Sequence, residues 1–325
     1  MKEAMRRNPE QIAAYIREAK SVALVSHVSP DGDTIGAAAA MRLALVSMGL
    51  EVSLFCDGKV PDQLCFLPGA ELFRIPDGTE GPFDLLLAVD VSDVKRLGTG
   101  AALMKKSRHT AQIDHHPTNP LYAEVNSVDG MAPSVCVLIR EQLETLGVPL
   151  TKDIAVCLYT GISTDTGNFS FGCTNAEAFR IMSELMEHDL PLAELNRILF
   201  RVKSREQIRL IGRALEGLTF RGKGKIAVMK LTRKDFEECG ALSEHADTIV
   251  NYGLDTIGTE MAMLARETED GMIKFSLRAK EPFRVDDVAA QFSGGGHPQA
   301  SGISMTGSLD ECVEAVAAAM EKKVY

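Results

Sequence analysis

The first half of the chain alternates short, strongly apolar runs with Ala- and Leu-rich stretches, and this alternation narrows the fold more than any other feature. Residues 21–26 read SVALVS, 51–56 read EVSLFC, 84–89 read DLLLAV, and a further strand is predicted over 109–113. A strand that is apolar at nearly every position is buried on both faces, as in a parallel sheet covered by helices. Helices are predicted over 34–48, 133–147, 152–163 and 175–188, with Gly49 placed to end the first of them. This pattern predicts an α/β unit with a mostly parallel sheet flanked by helices. Residues 1–20 are polar and read as a further helix, without the apolar stretch of a leader peptide.

The character changes after residue 190. Residues 191–218 are charged and helical, with no glycine between Pro191 and Gly212. A strand at 225–231, a helix near 243–251, β runs at 258–266 and 271–279, and a final helix over 308–322 then suggest a smaller α+β unit. A chain of 325 residues is long for one ordinary domain. The expected organisation is an α/β domain over 1–190, a helical connector over 191–215 and a smaller α+β domain over 216–325. No internal repeat or low-complexity segment interrupts it.

Composition excludes several classes. The chain is 45% hydrophobic and 25% charged, which suits a soluble globular protein. Its net charge of −10 argues against a strongly basic, non-specific DNA-coating protein but permits a local basic face. The most apolar stretches, near 35–50 and 84–91, fall short of the ~20 residues a membrane span needs. Seven scattered cysteines with no CxxC pair point to reduced thiols and a cytoplasmic location.

The chemistry sits where strands end. The first strand runs into His27-Val28-Ser29-Pro30-Asp31-Gly32-Asp33, where Pro30 and Gly32 force a tight turn. DLLLAV ends in Asp90, and the strand at 109–113 ends in Asp114-His115-His116. Asp165 follows a helix in GISTDTGNF. Open α/β sheets bind ligands beyond the carboxyl ends of their strands. A single Asp in such a place is ordinarily a turn former or a helix cap, and a single His an ordinary polar residue. Recurrence at one sheet edge changes the reading, because an unpaired carboxylate after a buried strand is costly. His27, Asp31, Asp33, Asp90, His115 and Asp165 combine four carboxylates with two imidazoles, a donor set for Mn²⁺ or Mg²⁺ rather than thiophilic metals. Four negative charges balance two divalent ions. A carboxylate shared by two ions about 3.5–4 Å apart would let them polarise a phosphoryl group.

HVSPDGDTIG, VDVSD, DHH and GISTDTG, in this order, resemble the four motifs of the DHH phosphoesterase superfamily. GGGHPQASG, from Gly294 to Gly302, is similar to the motif of the DHH-associated C-terminal domain. The likeness covers about residues 20–322, and the size and two-domain layout look most like the NrnA-type group. The resemblance implies a hydrolase that degrades very short oligoribonucleotides and removes the 3′-phosphate of 3′-phosphoadenosine 5′-phosphate. The alternative within the superfamily is a cyclic or linear dinucleotide phosphodiesterase acting on cyclic di-AMP, pApA or pGpG. By the same resemblance, His27, Asp31 and Asp90 hold one metal, while Asp33, Asp90, His115 and Asp165 hold a second, with Asp90 shared. Mn²⁺ is the expected ion, with Mg²⁺ or Co²⁺ as substitutes. Asp114 would orient a histidine, and His116 would face the scissile phosphate. The implied partners are short single-stranded RNA, dinucleotides, nucleoside bisphosphates and a second copy of the chain, with no membrane.

Three features keep two readings each. Gly294, Gly295 and Gly296 are either a flexible turn or a backbone cradle for an anion. The adjoining His297 and the strand residues Arg278 and Lys280, alternating toward one face, favour substrate binding. Arg96 is a phosphate contact or a surface salt-bridge partner. Residues 201–234 carry 11 Lys and Arg against two Glu, either as a solvated face or as an electrostatic guide for oligonucleotides.

Overall fold

The computed structural model describes residues 7–324, so the first six residues of the expected N-terminal helix lie outside the described residues. The chain divides into two compact units between Val202 and Lys203.

The first unit runs α1 (Pro9–Glu18), β1 (Ser21–Val25), α2 (Gly32–Ser47), β2 (Glu51–Phe55), β3 (Phe73–Arg74), β4 (Phe83–Val89), β5 (Ser107–Asp114), β6 (Val125–Val128), α3 (Val135–Leu146), α4 (Lys152–Asp165), α5 (Ala176–Met186) and α6 (Leu192–Asn196). Its strands lie in the order β3-β2-β1-β4-β5-β6, and every neighbouring pair is parallel. Alternate residues of β1 serve opposite faces. Val22 and Leu24 pack with the helices, whereas Ala23 and Val25 pack with Leu97 and Leu103 from the 3₁₀ turns of Val94–Lys106. The all-apolar strands are therefore explained by burial on both sides. In this strand order the chain reverses direction across the sheet between β1 and β4, which opens a crevice at their carboxyl ends.

The second unit runs α7 (Arg205–Glu216), β7 (Thr219–Arg221), β8 (Ile226–Leu231), α8 (Arg233–Cys239), α9 (Ile249–Leu254), β9 (Met261–Glu267), β10 (Ile273–Ala279), α10 (Asp286–Ala290), β11 (Gly295–His297), β12 (Ala300–Met305) and α11 (Leu309–Val324). Its sheet, ordered β11-β12-β10-β9-β8-β7, is antiparallel except for the parallel pair β8–β9. One face packs on α10 and α11, and the other on α7 and α9.

The structure departs from the expected elements in instructive places. The segment read as a connector is split. Leu195 and Leu199 join the core of the first unit, and Leu210, Ile211 and Ala214 of α7 join that of the second. The helix expected near 243–251 is a 3₁₀ turn, Ser243–Ala246, followed by the short α9. The strands β3, β6 and β7 are short edge or near-edge elements, with too few residues to show a period.

Packing between α2 and α4 is close because α2 is lined with small residues. A Cβ on Gly36 would lie 2.5 Å from the Cys157 carbonyl oxygen, a backbone atom that cannot rotate away. Gly36→Ala would gain ~0.5–1 kcal/mol of helix propensity but incur an overpacking cost of about 1–3 kcal/mol. We expect net destabilisation, read as a lower urea midpoint with an unchanged slope.

Candidate metal centre

Three turns at the carboxyl edge of the first sheet, and one helix end, supply the polar cluster. β1 delivers His27, β4 delivers Asp90, β5 delivers His115 and His116, and α4 ends on Asp165. Asp31 caps α2, its Oδ1 accepting from the backbone N–H groups of Asp33 and Thr34 at 3.1 Å each. Asp33 lies in the first turn of the same helix and is fully buried. Its Oδ1 accepts from the Ser134 hydroxyl (2.7 Å), and its Oδ2 from the backbone N–H of Val135 (2.6 Å). Asp33 is thereby seated on the N-terminus of α3, where the helix dipole favours negative charge.

The imidazoles of His27 and His115 are oriented alike. Nδ1 of His27 donates to the Val28 carbonyl (2.8 Å), and Nδ1 of His115 donates to the Ala132 carbonyl (3.2 Å). Each ring therefore turns Nε2 toward the acids. His27 Nε2 lies 3.4 Å from Asp90 Oδ2 and 3.7 Å from Asp31 Oδ2. His115 Nε2 lies 3.2 Å from Asp165, 3.4 Å from Asp90 Oδ1 and 3.8 Å from Asp33. Backbone carbonyls holding Nδ1–H are the usual way a ligating histidine is fixed.

The donor atoms fall into overlapping groups, each within 4.8 Å: His27, Asp31 and Asp90; Asp33, His115 and Asp165; and Asp90, His115 and His116. All six residues expected to hold metal are thus gathered at one place, with Asp90 between the two imidazole-bearing groups. Asp90 Oδ1 is buried and makes no hydrogen bond with any described residue. An orphaned carboxylate oxygen in a ring of acids and imidazoles fits a divalent cation, which would supply its missing partner.

The electrostatics point the same way. Burial and the neighbouring Asp90 charge push Asp33 up to about 6, against the pull of His115 and Ser134. Burial and the Asp33 charge push Asp165 up to about 9. Burial opposes charge on His27, yet its contacts with Asp31 and Asp90 win and raise it to about 10. Asp90 goes below the usual carboxylate range; burial acts upward, but the nearby imidazoles of His115 and His27 outweigh it. Without cations, the cluster must retain protons to limit carboxylate repulsion. Backbone strain collects here as well. Ser29 (φ 56°) and Asp90 (φ 62°) are left-handed non-glycine residues, and Asn168 and Phe169 follow Asp165 with φ of 55° and 63°.

Two residues beside the cluster form a pair. Asp114 is buried and accepts from His116 Nδ1 at 2.8 Å, which leaves Nε2 of His116 without a hydrogen bond among the described residues. Asn119 donates to the other oxygen of Asp114 at 2.5 Å. Sequence reasoning missed Asn119, and with it Gln112 and Ser134. The signal that was there is a glutamine inside a strand otherwise read as buried. Arg96 is half-buried and makes no ion pair among the described residues; its backbone carbonyl accepts from Val28 N–H at 2.8 Å.

In the second unit the glycine-rich run forms β11, hairpin-paired with β12, with Gly295 opposite Gly302. Gly296 (φ +143°) lies so close to β12 that a Cβ would sit 2.5 Å from the Ala300 carbonyl oxygen, whereas Gly295 faces open space. His297 is exposed. Arg278 on β10 is half-buried and pairs with no carboxylate among the described residues. Lys280 does not extend the alternation. β10 ends at Ala279, a turn joins Lys280 to Phe283, and the ammonium donates to the Thr259 carbonyl at 2.8 Å. A cavity of about 360 Å³ in this unit is lined by Arg266, Lys274, Ser276, Gly294, Gly302 and Ser304 among others. Of the basic run at 201–234, Arg213, Arg221, Lys230, Arg233 and Lys234 pair with Glu238, Glu314, Asp310, Glu237 and Glu238 respectively. Much of that charge is thus neutralised locally.

Raised values on Asp33, Asp165 and His27 set the sign of the pH response. Raised acids cost the metal-free fold stability above their unfolded range, and a raised base loses its contribution as pH climbs through its folded value. The acids make metal-free protein less stable from about pH 4 to about pH 9, and His27 does so from about pH 6.5 to about pH 10, whereas cations that displace these protons stabilise more where the two windows overlap. The rise in Tm given by excess Mn²⁺ or Mg²⁺ should therefore grow between about pH 6 and pH 9. A flat or shrinking rise would mean that these acids do not hold the ion.

Residues 21–162 match the DHH family, N-terminal domain, and residues 223–324 match the DHHA1 domain. The chain is 32% identical over 303 residues to the bifunctional oligoribonuclease and PAP phosphatase NrnA of Thermus thermophilus, covering 93% of this chain and 89% of that one. It is 29% identical to the protein of the same description from Bacillus subtilis, over 88% and 89% of the two chains. The crystal structure of an exopolyphosphatase-related protein from Bacteroides fragilis superposes with a TM-score of 0.92 at 26% identity, over 97% of this chain and 96% of that one.

Proposed function

This chain belongs to the DHH family, with a DHHA1 domain at its C-terminal end, and on that premise we propose that it is a two-metal phosphoesterase. Its substrates on this reading are short oligoribonucleotides, cut to mononucleotides, and 3′-phosphoadenosine 5′-phosphate, which loses its 3′-phosphate. The observation that carries the reading is the pair of donor groups meeting at Asp90. The descriptions of the Thermus and Bacillus relatives supply the substrate class.

His27, Asp31 and Asp90 would hold one ion, and Asp33, Asp90, His115 and Asp165 the other. Such ions supply charge neutralisation at a phosphoryl group and acidify water. Mixed carboxylate and imidazole donors suit Mn²⁺ best, with Mg²⁺ or Co²⁺ able to substitute. The protein's own part is to orient and to discriminate. His116, its Nδ1 committed to Asp114, presents Nε2 to a phosphate oxygen or to the departing oxygen. Arg278, half-buried without a carboxylate partner, is suited to a bidentate grip on a phosphate. The glycine hairpin with the open Gly295 and exposed His297, and Arg96 in the first unit, complete the set proposed to touch substrate. Lys280 is left a lesser part, because its ammonium is held by Thr259. All seven cysteines are free, which supports a reducing, cytoplasmic setting. No helix among the described residues is long and apolar enough to cross a membrane.

The test is a panel of pApA, pGpG, cyclic di-AMP and 3′-phosphoadenosine 5′-phosphate, each with Mn²⁺, Mg²⁺ and Co²⁺. Linear dinucleotides and the bisphosphate should be hydrolysed, the cyclic dinucleotide slowly. The reverse order would replace this reading with a cyclic-dinucleotide phosphodiesterase. Asp90→Ala should abolish turnover; full activity would refute its shared position. Arg278→Ala should raise KM about 10–100-fold on every productive substrate, as expected for a lost charge-assisted phosphate contact worth about 1.5–3 kcal/mol.

A further inference from the structure

Behind the DHH turn lies a chain of buried amides whose orientation is fully determined. It begins at backbone. Asn126 Nδ2 donates to the Ala123 carbonyl (2.8 Å), and Ala123 N–H donates back to Asn126 Oδ1 (3.1 Å). That settles which end of the Asn126 amide is oxygen. The same Oδ1 accepts from Gln112 Nε2 at 2.5 Å, which fixes Gln112. Gln112 and Asn119 then exchange a reciprocal pair. Gln112 Nε2 donates to Asn119 Oδ1, and Asn119 Nδ2 donates to Gln112 Oε1, both at 3.0 Å. Leu121 N–H, donating to Asn119 Oδ1 at 2.7 Å, fixes Asn119 independently. What remains of the Asn119 amino group points at Asp114 Oδ2 (2.5 Å) and at the Val91 carbonyl (3.3 Å).

Asp114 is a carboxylate with no exposure, and among the described residues no Lys or Arg pairs with it. Its side-chain partners are His116 on one oxygen and Asn119 on the other. A carboxylate held on both oxygens cannot rotate, and the ring it accepts from inherits that orientation. The chain also reaches the other side of the site, because Val91 directly follows Asp90.

We infer that Asn119 is a positioning residue. Its amide locks Asp114, and through Asp114 the ring orientation and Nδ1–H tautomer of His116, while its contact with Val91 ties the same chain to the turn carrying Asp90. This rests on the reading of His116 as the group facing the scissile phosphate. Replacing the amino group by an oxygen of the same size sets a second carboxylate against Asp114, so the isosteric variant is the sharper probe.

The experiment compares wild type, Asn119→Ala, Asn119→Asp and Tyr122→Phe. Tyr122 donates to the same Val91 carbonyl (3.2 Å) but makes no hydrogen bond to Asp114, so its variant loosens the turn alone. In metal-free protein, ¹⁵N-resolved spectra of the His116 ring should show protonated Nδ1 in wild type and Tyr122→Phe. The signature should be lost or mixed in both Asn119 variants. On a dinucleotide RNA the Asn119 variants should lose about 10–100-fold in kcat, with KM within about twofold of wild type. If Asn119→Asp keeps both the ring signature and kcat, the inference is overturned. Equal loss of kcat in Tyr122→Phe would overturn it too, because turn support alone would then explain the effect. Should wild type hydrolyse no dinucleotide at all, the proposed function fails, and the ring signature still decides the positioning role.

Discussion

Mutual repulsion among buried carboxylates is the constraint around which the first unit is built. Asp33 and Asp90 are almost wholly buried, and Asp165 and Asp31 converge on the same imidazoles. Asp33, Asp90 and Asp165 so placed cannot all be ionised unless positive charge is brought to them. The protein provides part of it. The N-terminus of α3 and the Ser134 hydroxyl serve Asp33, and the two imidazoles serve Asp90. It stops short of full compensation, as the unpartnered oxygen of Asp90 and the raised Asp33 and Asp165 show. A site left short of charge by its own side chains is prepared for divalent cations.

Topology makes the gathering possible. Placing β1 beside β4 sets the His27 and Asp90 turns side by side, and β5 adds the histidine pair from the next position. Asp165 comes from a helix, so it needs α4 pressed against α2. Small residues permit this. A Cβ on Gly161 would lie 2.5 Å from Asp33 Oδ1, so the residue that allows the two helices to meet also leaves room for the Asp33 carboxylate. The left-handed backbone at Asp90 is tolerated because strands on either side determine it.

Motif residues proved legible because strand ends are legible. An apolar run that stops at an acid marks both the sheet and its functional edge, and that reasoning located His27, Asp90 and His115 without knowledge of strand order. Other residues were silent for physical reasons. Gln112, Asn119 and Asn126 read as ordinary polar residues of a strand and its loop, since nothing local shows that their amides meet. Glycines 294–296 suggested an anion cradle, whereas Gly294 and Gly296 are also required for the backbone of β11 to approach β12. Lys280 followed the strand period on paper, but β10 stops one residue earlier. The basic run at 201–234 kept two readings because part of its pairing lies outside it: Glu237 and Glu238 stand just beyond its end, and Asp310 and Glu314 are distant in sequence.

By itself, the amino-acid sequence determined the α/β class, the two-unit character and the residue types at the sheet edge. These follow from hydrophobic periodicity and from what each strand runs into, both properties of neighbours along the chain. Tertiary structure alone decided which oxygen of Asp90 lacks a partner, which nitrogen of each histidine faces the acids, and which amide holds Asp114. Those outcomes depend on distances of a few ångströms between segments far apart in sequence. Hydrogen bonds and Coulomb forces discriminate at that scale, and no periodicity encodes it.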